Sequence, residues 1–134
     1  MTSLDRRTLD ALARSRYVSL TTYREDGLGI DTPVWHAVDH RTLYVLTRAD
    51  SWKVRRIRRT PRAVVTVCTV RGRIEQGAVR AEGTARLLPE ADELDHVRGL
   101  LAGKYGWQYR VTDLSARLTG GRRRHPMTGI AVAL

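Results

Sequence analysis

The side chains best suited to hold an anion crowd into one stretch, Leu43–Pro61, which reads LYVLTRADSWKVRRIRRTP. Leu43, Tyr44, Val45 and Leu46 form a short β-type run that delivers the Thr47 hydroxyl. Asp50 and Ser51 are good helix caps, Val54 and Ile57 lie three apart on one helical face, and Thr60-Pro61 ends the turn. Lys53, Arg55, Arg56, Arg58 and Arg59 decorate the helix between them. First-turn N–H groups and the helix dipole favour negative charge, so a hydroxyl, a helix start and adjacent cations make a phosphate-binding corner. The competing reading is a solvated basic face whose arginine stems lie over apolar neighbours.

Other chemistries leave no trace. No Ser-His-Asp arrangement, paired carboxylates or metal-ligand spacing stands out, and neither His36 nor His40 is assigned a catalytic role. Both histidines read as surface or internally satisfied groups. The chain has 134 residues, enough for one domain spanning 1–134, and 24 Lys+Arg against 14 Asp+Glu give a formal charge of +10. Such an excess calls for polyanionic company: nucleic acid, an anionic membrane surface, or a ligand rich in phosphates and carboxylates. Its concentration at one strand-to-helix corner, rather than along a face, disfavours nucleic acid, although Tyr17, Tyr23 and Trp35 could offer stacking faces. The single Cys68 excludes an intrachain disulfide, fits a reducing cytoplasm and reads as a small core residue. No signal peptide is visible in Met1–Arg16, and no apolar run is long enough to span a bilayer.

Around the corner, the chain reads as an alternation of short strands and few helices. Ser3–Arg14 has an amphipathic helical stripe of Leu4, Leu9 and Leu12. Tyr17–Arg24 and Ile30–Val38 read as strands, and Pro33 marks the second as an edge or a bulge. After the corner, Arg62–Val70 is almost continuously apolar, as a strand buried on both faces at the heart of a barrel or a dimer contact would be. Ala78–Leu88 alternates as a strand, and Gly83 within it signals a bulge or the close approach of another backbone. Pro89 opens a helix to about Lys104 with Leu94, Val97, Leu100 and Leu101 buried, and a further helical segment is expected at Leu114–Leu118. Gly120-Gly121 with Arg122–Arg124 reads as an exposed basic turn, and Thr128–Leu134 closes the chain as a strand. The order α-βββ-α-ββ-α-β with tight turns predicts a mainly β (α+β) small barrel with flanking short helices.

This order, with Tyr17–Thr22, Thr32-Pro33-Val34-Trp35, Leu43–Thr47 followed by Lys53–Arg58, and Arg80–Ala85, resembles the split β-barrel of the pyridoxamine-phosphate-oxidase-like, FMN-binding-protein-like family. The resemblance covers Leu4 to roughly Leu101. The spacing Thr47, Asp50-Ser51, Lys53, Arg55, Arg56 looks most like actinobacterial members that use the deazaflavin coenzyme F420. That resemblance implies a homodimer with each cofactor in a groove between subunits. It also implies an F420H2-dependent hydride transfer to a conjugated small-molecule acceptor, which needs orientation more than a protein acid or base. Thr47, Ser51, Lys53, Arg55 and Arg56 would hold the phosphate side, with Val54 beside them. Thr32, Pro33, Val34 and Trp35 would lie along the ring. Many relatives have glycine just before the lysine, whereas Trp52 stands here, and an indole there could pack on a ring or obstruct one. FMN in place of F420, a non-enzymatic flavin or F420 carrier, and a basic nucleic-acid-binding barrel are the alternatives.

Overall fold

The computed structural model describes residues 5–111 and 126–134. Its elements are α1 (Arg6–Arg14), β1 (Val18–Tyr23), β2 (Gly29–Val34), β3 (Ala37–Asp39), β4 (Thr42–Arg48), α2 (Trp52–Arg59), β5 (Arg62–Val67), β6 (Arg80–Leu88), α3 (Ala91–Tyr105) and β7 (Met127–Ala133). The strands form one antiparallel sheet in the order β2-β1-β5-β6-β7-β4-β3, curled into a split barrel with short helices around it. The expected Ser3–Arg14 helix begins later, because Asp5 is the cap and accepts the Thr8 N–H at 2.8 Å. The expected helix at Leu114–Leu118 and the basic turn at Arg122–Arg124 lie outside the described residues. Among the described residues, no helix is long and apolar enough to cross a membrane.

Strand alternation divides the interior. Leu43 and Val45 of β4 point into the barrel with Val18, Leu20, Ala63, Val65, Ile130 and Val132, where Leu12 of α1 and Ile57 of α2 join them. Tyr44 and Leu46 face the other way, onto a second cluster built from Leu88, Ala131 and the buried stripe Val97, Leu101 and Tyr105 of α3. Two helices, α1 and α2, therefore contribute to the barrel's core, and α3 covers β4 from outside.

The expected strand Ile30–Val38 is broken. β2 ends at Val34 and β3 starts at Ala37, because the Tyr105 hydroxyl accepts the His36 N–H at 3.0 Å and pins the main chain there. Pro33 does lie on the edge strand β2, where its missing N–H costs no ladder bond. Arg62–Val70 shortens to Arg62–Val67, with Ala63 through Thr66 all buried between β1 and β6. Ala63 and Val65 face the barrel interior and Val64 is buried on the opposite face within one chain, whereas Val70 at the end of the run is exposed. Cys68 falls just past the strand, half-buried rather than in the core, with its thiol pushed up by burial.

Gly83 marks a close approach of backbones. A methyl added there would lie inside contact distance of the Ala133 carbonyl oxygen and 2.9 Å from Val132 Cγ1. Gly83→Ala should therefore overpack the β6–β7 seam at a cost of about 1–3 kcal/mol. Thermal melting should drop by roughly 3–12 °C for a chain of this size. An unchanged melting temperature would mean that the seam opens freely.

Candidate functional site

Thr47 is buried near the end of β4, across from Thr128 of β7. Ser51 caps α2 in extended conformation (φ −71°, ψ 156°), but its side chain makes no capping bond. Its Oγ is buried and has no hydrogen-bond partner. Asp50, the other expected cap, instead forms a two-pronged pair with Arg48 at 2.9 and 3.0 Å. A buried hydroxyl without a partner at a helix start is costly unless something fills it.

The cations of α2 diverge. Lys53 is half-buried, and burial together with the neighbouring Arg56 guanidinium holds its ammonium below the ordinary lysine value. Arg56 turns inward, its Nε donating to the buried Thr22 Oγ1 of β1 at 2.7 Å. Arg55 turns outward, over the Trp52 indole at 4.8 Å from the ring centroid. Trp52 itself is 69% exposed and stands at the rim of a groove of about 550 Å³ with Arg24, Arg55, Arg56 and Arg59. Glu25 and Asp26 line it too, paired with Arg59 and Arg24 at 3.5 Å each. Val54 is wholly buried, so its side chain serves packing.

Thr32, Pro33 and Val34 lie on β2 opposite Leu20, Ser19 and Val18. Trp35 follows at the break, where it stacks on Tyr105 with centroids 4.6 Å apart and planes 9° from parallel. It thus joins the cluster under α3, while α2 contributes Ile57 to the barrel core. Of the four expected ring-side residues only Trp35 joins the α3 cluster, while Val34 packs against the same barrel core as Ile57 of α2. The pairings of Trp35 with Tyr105 and of Arg56 with Thr22 span 70 and 34 residues, and no local pattern announces either. Only the mixed character of Thr22, a hydroxyl on an otherwise apolar strand face, hints at the latter.

The Pyridoxamine 5'-phosphate oxidase family profile matches residues 4–132. The chain belongs to this family. No curated protein matches it in sequence. Among solved structures, a conserved hypothetical protein of Mycobacterium tuberculosis superposes with a TM-score of 0.70 at 22% identity, covering 98% of this chain and 80% of that one. An F420 reductase gives 0.62 at 17% identity, covering 97% and 94%. The heme storage protein HutZ of Vibrio cholerae gives 0.66 at 12% identity, covering 98% and 90%. At these identities the likeness is one of fold. The family member described here therefore shares its split barrel with proteins of different ligands.

Proposed function

We propose that this chain binds coenzyme F420 at the α2 corner and uses its reduced form to transfer a hydride to a conjugated small-molecule acceptor. The observation that carries the reading is the buried, unpartnered Ser51 hydroxyl at the start of α2, with Thr47 on the preceding strand and Lys53 on the first turn. Among the described residues no carboxylate pairs with Lys53. A phosphate supplies what this set lacks: acceptor oxygens for the hydroxyls and charge for the ammonium. When bound, F420 supplies the hydride chemistry. The protein's own residues bind and orient: Thr47, Ser51 and Lys53 hold the phosphate, and Arg56, steadied by Thr22, adds inward positive charge. The Arg24, Trp52, Arg55 and Arg59 groove favours F420 over FMN, because F420 carries carboxylates beyond its phosphate.

FMN is the second reading, since the phosphate corner would serve it equally. Titrating the protein with F420 and separately with FMN, followed by visible absorbance, separates the two. Saturable perturbation by F420 alone is expected. Perturbation by FMN alone would replace the deazaflavin assignment, and none by either would leave a non-flavin role.

The same reading makes the protein a homodimer in the cytoplasm. In such a dimer a groove between copies would bring one subunit's corner to the β2 edge of its partner. Exposed Leu28, Val70 and Ile74 add apolar surface for such a contact. Sedimentation at micromolar concentration should give a dimer, and a stable monomer would remove the groove between subunits.

A further inference from the structure

Trp52 opens α2, and Arg55, Arg56 and Arg59 follow it at i+3, i+4 and i+7, the spacing that keeps side chains on one side of a helix. At 1.5 Å per residue, Arg59 stands about 10 Å along the axis from Trp52. Arg24, just past β1, lines the same groove of about 550 Å³, a volume that suits a small ligand.

The indole does not serve packing. It is 69% exposed, and the Arg55 guanidinium lies against one face, 4.8 Å from the ring centroid, which leaves the other face open for stacking.

The cations outnumber their counter-charges. Asp26 pairs with Arg24 and Glu25 with Arg59, each at 3.5 Å, longer than a charge-assisted hydrogen bond. Among the described residues Arg55 and Arg56 pair with no carboxylate. Burial and the nearby Arg24 charge both hold Arg56 below the ordinary arginine value.

A chain of phosphates answers this array, since its oxygens match forked guanidinium donors and its charge relieves the repulsion among them. A planar base answers the open face of the indole. Ring first and anions after, in line along α2, is the order of groups in a nucleoside carrying two or three phosphates. Glu25, on Arg59 at the end away from Trp52, puts a carboxylate where a longer phosphodiester backbone would continue. That favours a ligand that ends there over a nucleic acid.

We propose that this groove binds nucleoside di- and triphosphates, with the base stacked on Trp52 and the phosphates held by Arg24, Arg56 and Arg59. In the cofactor reading above the same groove takes the F420 carboxylates, so a bound nucleotide competes with F420 and regulates access to the corner. Nucleotide binding itself does not depend on that reading.

The test is calorimetric titration of the full chain at physiological salt, without magnesium, using ATP, inorganic tripolyphosphate and a short thymidylate strand. Tripolyphosphate carries at least the charge of ATP, so a preference for ATP reports the base. ATP should bind about tenfold more tightly, as one stacked base provides. Trp52→Leu, at an exposed position, should abolish that preference and leave tripolyphosphate binding in place. Arg59→Gln should weaken both ligands roughly threefold. ATP binding no tighter than tripolyphosphate, or a preference that survives Trp52→Leu, would overturn the stacked base. Unchanged binding in Arg59→Gln would overturn the phosphate placement, and a thymidylate strand that binds more tightly than ATP would overturn the free-nucleotide assignment. F420 that binds without displacing ATP would overturn the competition. If F420 does not bind at all, the cofactor reading falls, and the ATP titrations still decide this one.

Discussion

Acidification from pH 6.5 toward 4 should remove on the order of 3 kcal/mol of folding stability, and most of that loss should trace to His36. The ring is 0% exposed, and burial, reinforced by the Lys104 charge, lowers it to about 4 despite the bond to the Leu12 carbonyl. In the unfolded chain, a histidine binds its proton near pH 6.5. Because the folded value is depressed, the unfolded state takes up the proton first as pH falls. The stabilisation is complete above the unfolded value and is lost progressively down to the folded one. Melting temperature should fall by roughly 10 °C across that window, given a few degrees per kcal/mol for a chain of this size. His36→Gln keeps a donor for Leu12 but cannot titrate, so its melting, whatever its value at pH 7, should change less between pH 6.5 and 4.5. Parallel wild-type and variant curves would show that His36 does not control the acid limb.

The second large effect concerns the corner. Lys53→Ala should weaken F420 binding roughly ten- to a hundredfold, since a charge-assisted bond to phosphate is worth about 1.5–3 kcal/mol net. Stability should rise or stay level, because a half-buried ammonium without a carboxylate partner contributes little to folding. Arg58→Ala is the control: Arg58 is exposed, two residues beyond the inward Arg56 and so nearly opposite it on the helix. Cofactor titration and thermal melting on both variants give the answer. Loss of affinity in Arg58→Ala but not in Lys53→Ala would put the ligand on the other face of α2. No loss in either would leave α2 as a solvated basic helix.

Much of the barrel was legible because its signals are local. Pro33 narrows β2 to an edge or a bulge, and it is the edge. The apolar run Arg62–Val70 signals burial on both faces, and Ala63–Thr66 have it. Gly83 signals a bulge or a close backbone, and it is the latter that the fold shows. What stayed hidden depends on partners distant in sequence. The alternation of Val34, His36 and Val38 continues straight through the place where Tyr105 breaks the strand. His36 read as a satisfied histidine, and Nε2 is satisfied, but Nδ1 is buried without a partner and Lys104 faces the ring. Within the corner, residue types announced donors without saying where they point. Arg55 and Arg56 are neighbours that diverge to Trp52 and to Thr22. Val54 was both a helical core position and a site residue by resemblance, and its burial is that of a core position.

The position of β7 between β4 and β6 bears on how the chain reaches this state. β4 pairs Thr42 with Ala133 and Arg48 with Met127, so its inner edge finds its partner only after some 80 to 90 further residues have been made. Until then β4 and β6 each expose an unpaired edge, and Ile130 and Val132 are missing from the core they help to fill. Loops of that length close slowly, which places barrel formation among the slower folding topologies. During synthesis, the nascent chain therefore passes through a stage with two sticky strand edges, and this stage is where chaperone binding or edge-to-edge aggregation would act.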